Sequence, residues 1–138
     1  MLVTAESCTG GMVSAALTAI AGSSTVLERG FVTYSNEAKA EMLGVPMALI
    51  QTHGAVSEEV ARAMAEGALA HSRAQRAIAI TGIAGPGGGN ADKPVGLVHF
   101  AVASVGGTTM ARQQIFSGDR DSVRHQAALT ALEMVGQL

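Results

Sequence analysis

Short apolar runs that close on glycine-rich turns alternate along this chain with segments of helical period, and this alternation constrains the fold more than any other feature. Leu2–Ala5 reads as a buried strand and Glu6–Gly11 as a tight turn. Met12–Ala21 repeats at helix spacing through Val13, Leu17 and Ile20, with Ala16 filling, until Gly22 stops it. Val26–Tyr34 reads as a second strand. Ser35 can N-cap a short helix over Asn36–Leu43; Gly44 ends it and Pro46 prevents its continuation. Ser57 caps the next helix, with Glu58 and Glu59 in the first turn, where carboxylates suit the helix dipole. The inner face of that helix is Val60, Met64, Ala68 and Leu69. Ala77–Thr81 and Val95–Ser104 read as further strands, and Gly106-Gly107 turns a hairpin into Thr108–Phe116. A long helix from Asp119 onward carries Val123, Ala127, Ala131 and Leu138 on one stripe. Strands alternating with helices, plus one hairpin, predict an α/β fold: a three-layer α/β/α sandwich around a mixed, mostly parallel sheet.

The 138 residues show no linker and no repeat, so 1–138 reads as a single domain. Hydrophobic residues make up 48% and charged residues 14%, too apolar for disorder. No apolar run approaches the roughly 20 residues of a membrane span, and the opening MLVTAESCTGG has no basic leader; no membrane partner is expected. A net charge of −2 argues against a phosphate-gripping nucleic-acid binder, and one Tyr, three Phe and no Trp argue against base stacking. A single cysteine excludes an internal disulfide and a cysteine-rich zinc site, and a cytoplasmic location is expected. The four histidines have no i,i+3 or i,i+4 pairing, so no metal site is expected.

Four segments can carry chemistry. Glu6-Ser-Cys-Thr-Gly-Gly11 stands where a strand end meets a helix start. Backbone N–H groups converge at such a turn, paired glycines admit a ligand, and Ser7 or Cys8 could attack a carbonyl there. A plain N-cap with packing glycines competes on equal terms. In Tyr34-Ser-Asn-Glu-Ala-Lys39 the only tyrosine ends a strand, and Lys39 lies in the first turn of a helix. Burial and the positive helix end would make it a usable base, whereas the bland alternative is a solvated lysine beside Glu37. The glycine-rich loop Gly82–Gly89, with Lys93 just beyond, could cradle phosphate or ribose, although it matches neither the Walker A nor the dinucleotide pattern. Arg120 precedes the last helix between two acids, as a surface ion pair or an anion clamp.

Taken together, these segments resemble the CinA C-terminal domain family, the nicotinamide-nucleotide amidases of the PncC type. The blocks that carry the resemblance are Ala5-Glu-Ser-Cys-Thr-Gly-Gly11, Arg29-Gly-Phe-Val-Thr-Tyr-Ser-Asn-Glu-Ala-Lys39, Gly54-Ala-Val-Ser-Glu58, Thr81-Gly-Ile-Ala-Gly-Pro-Gly-Gly-Gly89, Lys93-Pro-Val-Gly96 and Phe116-Ser-Gly-Asp-Arg120. They span nearly the whole chain in order. The resemblance implies an anticodon-binding-domain-like sandwich without RNA function. It implies hydrolysis of nicotinamide mononucleotide to nicotinate mononucleotide and ammonia, with Ser7 as nucleophile, Lys39 as general base, and Tyr34 and Arg120 as site residues. It also implies a helix ahead of the first strand, which this chain, starting almost at the strand, would lack.

The expected mechanism has Lys39 take the Ser7 proton directly or through Tyr34, while N–H groups near Thr9, Gly10 and Gly11 hold the oxyanion. Gly82, Gly85, Lys93 and Arg120 are the candidates for holding the nucleotide, a small-molecule substrate; no cofactor is expected. Two alternatives stay open. One is a non-catalytic nucleotide-binding module tied to competence or the DNA-damage response, which would tolerate loss of Ser7. The other is a cysteine hydrolase using Cys8. A strand beginning at Leu2 leaves little chain to cover the adjacent sheet face, so a homo-oligomer is expected.

Overall fold

The computed structural model describes residues 1–137. Five strands form one sheet in the order β2-β1-β3-β4-β5. They are β1 (Leu2–Glu6), β2 (Leu27–Val32), β3 (Arg76–Gly82), β4 (Leu97–Ser104) and β5 (Met110–Ile115). β2 and β3 flank β1 in parallel, and β4 and β5 join by antiparallel pairing. β4 alone therefore opposes the common strand direction, and the sheet is mixed as expected.

Side chains alternate across the sheet, and the two faces are built differently. Leu2, Ile78, Ile80, Val98, Phe100 and Val102 point toward α1 (Met12–Thr18) and α5 (Arg120–Gly136), where they meet Val13, Val123, Ala127 and Ala131. The opposite face is mostly alanine: Val3, Ala5, Ala77, Ala79, Ala101 and Ala103. Such a shallow surface lets a helix approach closely, and α4 (Glu58–Ala70) packs there with Ala61, Ala65 and Ala68. α2 (Asn36–Leu43) and α3 (Met47–His53) complete this layer. Where α2 ends against α4, only glycine fits: a Cβ on Gly67 would lie 2.0 Å from the Leu43 carbonyl oxygen.

The three layers are those expected, and so are the caps. Ser35 accepts from Ala38 N–H, Ser57 from Val60 N–H and Asp119 from Ser122 N–H. Gly44 closes α2 at φ 69°, in the left-handed region that favours glycine. Three expectations need correction. α1 stops at Thr18, a single 3-10 turn follows at Ser23–Thr25, and Ile20 is 67% exposed instead of joining the core. α3 is an additional helix: Pro46, expected only as a stop, also serves as its N-cap. A proline costs nothing there, because the first N–H groups of a helix have no partner within it. Helices cover both faces of the central strands β1, β3 and β4, so the short lead-in to Leu2 leaves no bare face there, while Val32 of β2 and Met110 and Ile115 of β5 stay exposed on the edge strands. Leu138, expected on the α5 stripe, lies outside the described residues.

The connection from β1 to β2 crosses one face through α1, and that from β2 to β3 crosses the other through α2, α3 and α4. Connections that diverge in this way open a crevice at the carboxyl ends of the strands between them. Ser7 stands at that point.

Candidate active site

Ser7 is the first residue beyond β1, and the sheet holds it from both sides. Its N–H donates to Ile80 O at 2.9 Å, while Thr33 N–H donates to Glu6 O at 2.9 Å. The chain then turns sharply through Gly10 and Gly11, at φ 58° and 105°. Gly11 precedes α1 without a side chain to cap it, and the buried Glu6 carboxylate does that work instead. Its Oε1 accepts from the Thr9 hydroxyl at 2.7 Å and Val13 N–H at 2.9 Å, and its Oε2 from Ser14 N–H at 3.1 Å. A carboxylate at the positive helix end is well placed, and it anchors the turn that carries Ser7.

Lys39 projects from α2 into the same crevice and is only 1% exposed, not a solvated partner of Glu37. Its Nζ lies 2.8 Å from Thr33 O, 3.2 Å from Tyr34 O and 3.1 Å from Ser7 Oγ. Burial holds its pKa below the ordinary lysine value. The geometry suits the neutral amine. Its two N–H bonds point at the two carbonyls, and its lone pair is left facing the serine hydroxyl.

Arg120, at the start of α5, donates to Gly85 O at 2.7 Å and to the Tyr34 hydroxyl at 3.2 Å. It makes no ion pair among the described residues. Tyr34 therefore enters the site differently from expectation: its carbonyl meets Lys39, whereas its hydroxyl meets Arg120. A proton relay through the phenol has no contact to support it, and the direct Lys39–Ser7 route remains.

Ser7, Lys39, Tyr34, Thr81, Gly82 and Arg120 surround a cavity of about 190 Å³. Cys8 lines it too, whereas Lys93, Gly85, Thr9, Gly10 and Gly11 do not. Lys93 donates to His53 O at 2.5 Å and faces a separate hollow with His99 and Gln113. Gly85 contributes only the carbonyl that holds Arg120. In the turn after Ser7, the Thr9 hydroxyl is spent on Glu6, and the Gly10 N–H on Ser7 O at 3.1 Å. Gly10 is thereby removed from the oxyanion donors. Cys8 does not fit the role of nucleophile. It is buried, and burial pushes its thiol up to about 11, far from a reactive thiolate. A larger hollow of about 410 Å³ lies at the opposite end of the sheet, near Leu2 and Arg76, where β1 and β3 begin.

Three residues of the site had not been singled out from the sequence. Thr81 ends β3 beside the cavity and donates to Ala55 O at 2.8 Å; its place at the carboxyl end of a central strand is a usable signal. Glu6 entered only as the first residue of the turn segment, although an acid between an apolar strand and a helix start is a capping signal. Arg124 contacts Cys8 O and Thr9 O from α5, and nothing local announces it.

Fold and pocket define a class: an α/β sandwich with a serine and a buried lysine in contact at the carboxyl edge of its sheet. The chain belongs to the CinA C-terminal domain family, whose profile matches residues 1–138. It is 57% identical over 136 residues to the nicotinamide-nucleotide amidohydrolase PncC of Escherichia coli (strain K12), covering 99% of this chain and 82% of that protein. A CinA-like protein of Anaeromyxobacter dehalogenans (strain 2CP-C) is 57% identical over 130 residues, covering 94% of this chain and 32% of that longer protein. Among solved structures, the competence/damage inducible protein CihA from Agrobacterium tumefaciens superposes with a TM-score of 0.96 at 54% identity, over 98% of this chain and 82% of that one. No helix among the described residues is long and apolar enough to cross a membrane.

Proposed function

We propose that this protein is a nicotinamide-nucleotide amidohydrolase that converts nicotinamide mononucleotide and water to nicotinate mononucleotide and ammonia through Ser7 and Lys39. The observation that carries the reading is the buried lysine, which has no carboxylate partner among the described residues and faces the serine at 3.1 Å. A fold gains nothing from burying an amine in that way, because the charged form loses its hydration without an opposite charge in return. A purely nucleotide-binding module would have no use for it. A base needs just such an environment.

Neutral Lys39 takes the proton of the Ser7 hydroxyl as Oγ attacks the carboxamide carbon. The tetrahedral oxyanion forms and collapses, and Lys39 returns the proton to the departing ammonia. A water molecule, deprotonated by the same amine, then attacks the acyl carbon; nicotinate mononucleotide leaves and Ser7 recovers its proton from Lys39. Arg120, held at the rim by Gly85 O and the Tyr34 hydroxyl, has N–H groups left over for the substrate phosphate.

The test is ammonia release from nicotinamide mononucleotide by the wild type and Ser7→Ala side by side. The variant should be inactive and fully folded, and activity within about tenfold of wild type rules out Ser7 as nucleophile. We place the enzyme in the cytoplasm, in keeping with its single buried, unpaired cysteine. Self-association is retained on a narrower basis, the exposed Ile20 and Val26 beside Leu17. Light scattering that gives a monomer at micromolar concentration overturns it.

A further inference from the structure

The first turns of α5 carry two arginines four residues apart, on one face of the helix. Arg120 reaches the cavity rim. Arg124 reaches behind the nucleophile: its Nε donates to Cys8 O at 3.0 Å and its Nη2 to Thr9 O at 3.4 Å. Its guanidinium lies against Gly10, where a Cβ would stand 3.4 Å from Nη2.

These contacts complete a pattern. Ser7 O accepts from Gly10 N–H, and Thr9 O accepts from Met12 N–H as well as from Arg124. All three carbonyls of the turn are thus held, and Cys8 O is held by Arg124 alone. Among the described residues, the N–H groups of Cys8 and Thr9 donate to no other residue. The peptide bonds here are trans, so each N–H points away from the carbonyl of its own peptide unit. Holding Ser7 O aims the Cys8 N–H, and holding Cys8 O aims the Thr9 N–H.

We infer that Arg124 is a positioning residue for the amidase reaction: by fixing the Cys8–Thr9 peptide, it keeps the Thr9 N–H beside the Cys8 N–H as a pair of donors for the oxyanion that forms on Ser7. The inference rests on the reading of Ser7 as nucleophile. Of the donors expected at Thr9, Gly10 and Gly11 it selects Thr9 and adds Cys8, and it gives a residue 116 positions from Cys8 a part in catalysis without touching the substrate. Adjacent backbone N–H groups with no competing acceptor suit an oxyanion, because they need no rearrangement as the charge appears. A guanidinium is suited to the holding role, since its planar fork spans two neighbouring carbonyls.

The test compares Arg124→Lys, Arg124→Met and Ser7→Ala with wild type, using nicotinamide mononucleotide and following thermal unfolding in parallel. Arg124→Met should lower kcat by about 10²-fold, with KM within about threefold of wild type, because the donors act on the transition state and not on the bound amide. Arg124→Lys should recover part of the rate, about tenfold below wild type, since one ammonium can hold a single carbonyl. Inhibition by 3-pyridineboronic acid, which forms a tetrahedral adduct on a serine, should weaken in step with kcat. A merely structural role would not move that affinity selectively. Values of kcat within about threefold of wild type in Arg124→Lys and Arg124→Met, or a rise in KM with kcat preserved, overturn the inference. Should Arg124→Met fail to fold, Arg124→Lys decides by the same thresholds. Activity that persists in Ser7→Ala overturns the underlying reading, whereas activity lost there and kept in the Arg124 variants overturns this inference alone.

Discussion

Lys39 Nζ stands 3.1 Å from Ser7 Oγ across 32 residues of sequence, with Thr33 O and Tyr34 O occupying its other bonding directions. Three oxygens, one from the turn after β1 and two from the turn after β2, are therefore fitted around one nitrogen supplied by α2. Any change that restores charge to that nitrogen removes the lone pair that faces the serine.

Lys39→Arg should accordingly be nearly as damaging as loss of Ser7, because arginine keeps the charge but does not release its proton in a protein. The wild-type rate should fall as pH drops through the lysine pKa, which burial holds below its ordinary value. The sign for stability follows from the same shift. Between the lowered folded pKa and the unfolded one, the unfolded chain binds the extra proton, so unfolding free energy rises with pH across that window. Lys39→Met should abolish that part of the slope. The checks are a pH–rate profile and urea unfolding at a series of pH values; a rate that stays flat down to the acid unfolding limit contradicts a lysine base.

Arg120→Ala should raise KM more than it lowers kcat. The guanidinium is held at the rim by Gly85 O and the Tyr34 hydroxyl, and a phosphate contact there is felt by substrate and transition state alike. A charge-assisted contact contributes about 1.5–3 kcal/mol, which corresponds to a KM effect of roughly tenfold or more. Steady-state kinetics decide: an unchanged KM with a reduced kcat places Arg120 at the reacting carbonyl instead.

Glu6→Gln should destabilise the fold by about 1–3 kcal/mol, although nothing is added or removed in bulk. The carboxylate accepts from Thr9, Val13 and Ser14 together, and an amide nitrogen in place of one oxygen opposes a donor with a donor. Denaturant unfolding with an unchanged m-value measures this directly. A variant as stable as wild type shows that the α1 terminus does not depend on the charge.

Gly67→Ala reverses an ordinary rule. In an exposed helix interior, alanine is about 1 kcal/mol better than glycine. Here the new methyl carbon would stand 2.0 Å from Leu43 O, so α2 and α4 must separate. The expected net effect is a destabilisation of about 1–3 kcal/mol, read as a lower unfolding midpoint. A gain in stability refutes the backbone contact.

The elements and their caps were legible because their causes are local. Ser35, Ser57 and Asp119 act on N–H groups three residues away, and alternation along β1 and β3 sorts side chains by position alone. Pro46 was half legible: its fixed φ excludes continuation of α2, but the same φ suits the start of α3. Ile20 misled because helical period was extended past the point where the chain leaves the helix at Thr18.

The sequence by itself placed Ser7 at a strand-to-helix turn, Lys39 in the first turn of a helix and Arg120 at the head of another, since each follows from spacing, capping and glycine. Only the tertiary structure decided that Lys39 is buried, that its amine meets Ser7, that Tyr34 contributes a carbonyl there and a hydroxyl to Arg120, that Lys93 lies apart, and that Arg124 holds the turn behind the nucleophile. The physical reason is that loss of water and contact across a crevice depend on which segments the sheet order brings side by side. A base is made by its surroundings, and those are assembled from β1, β2 and α2 only once the chain has folded.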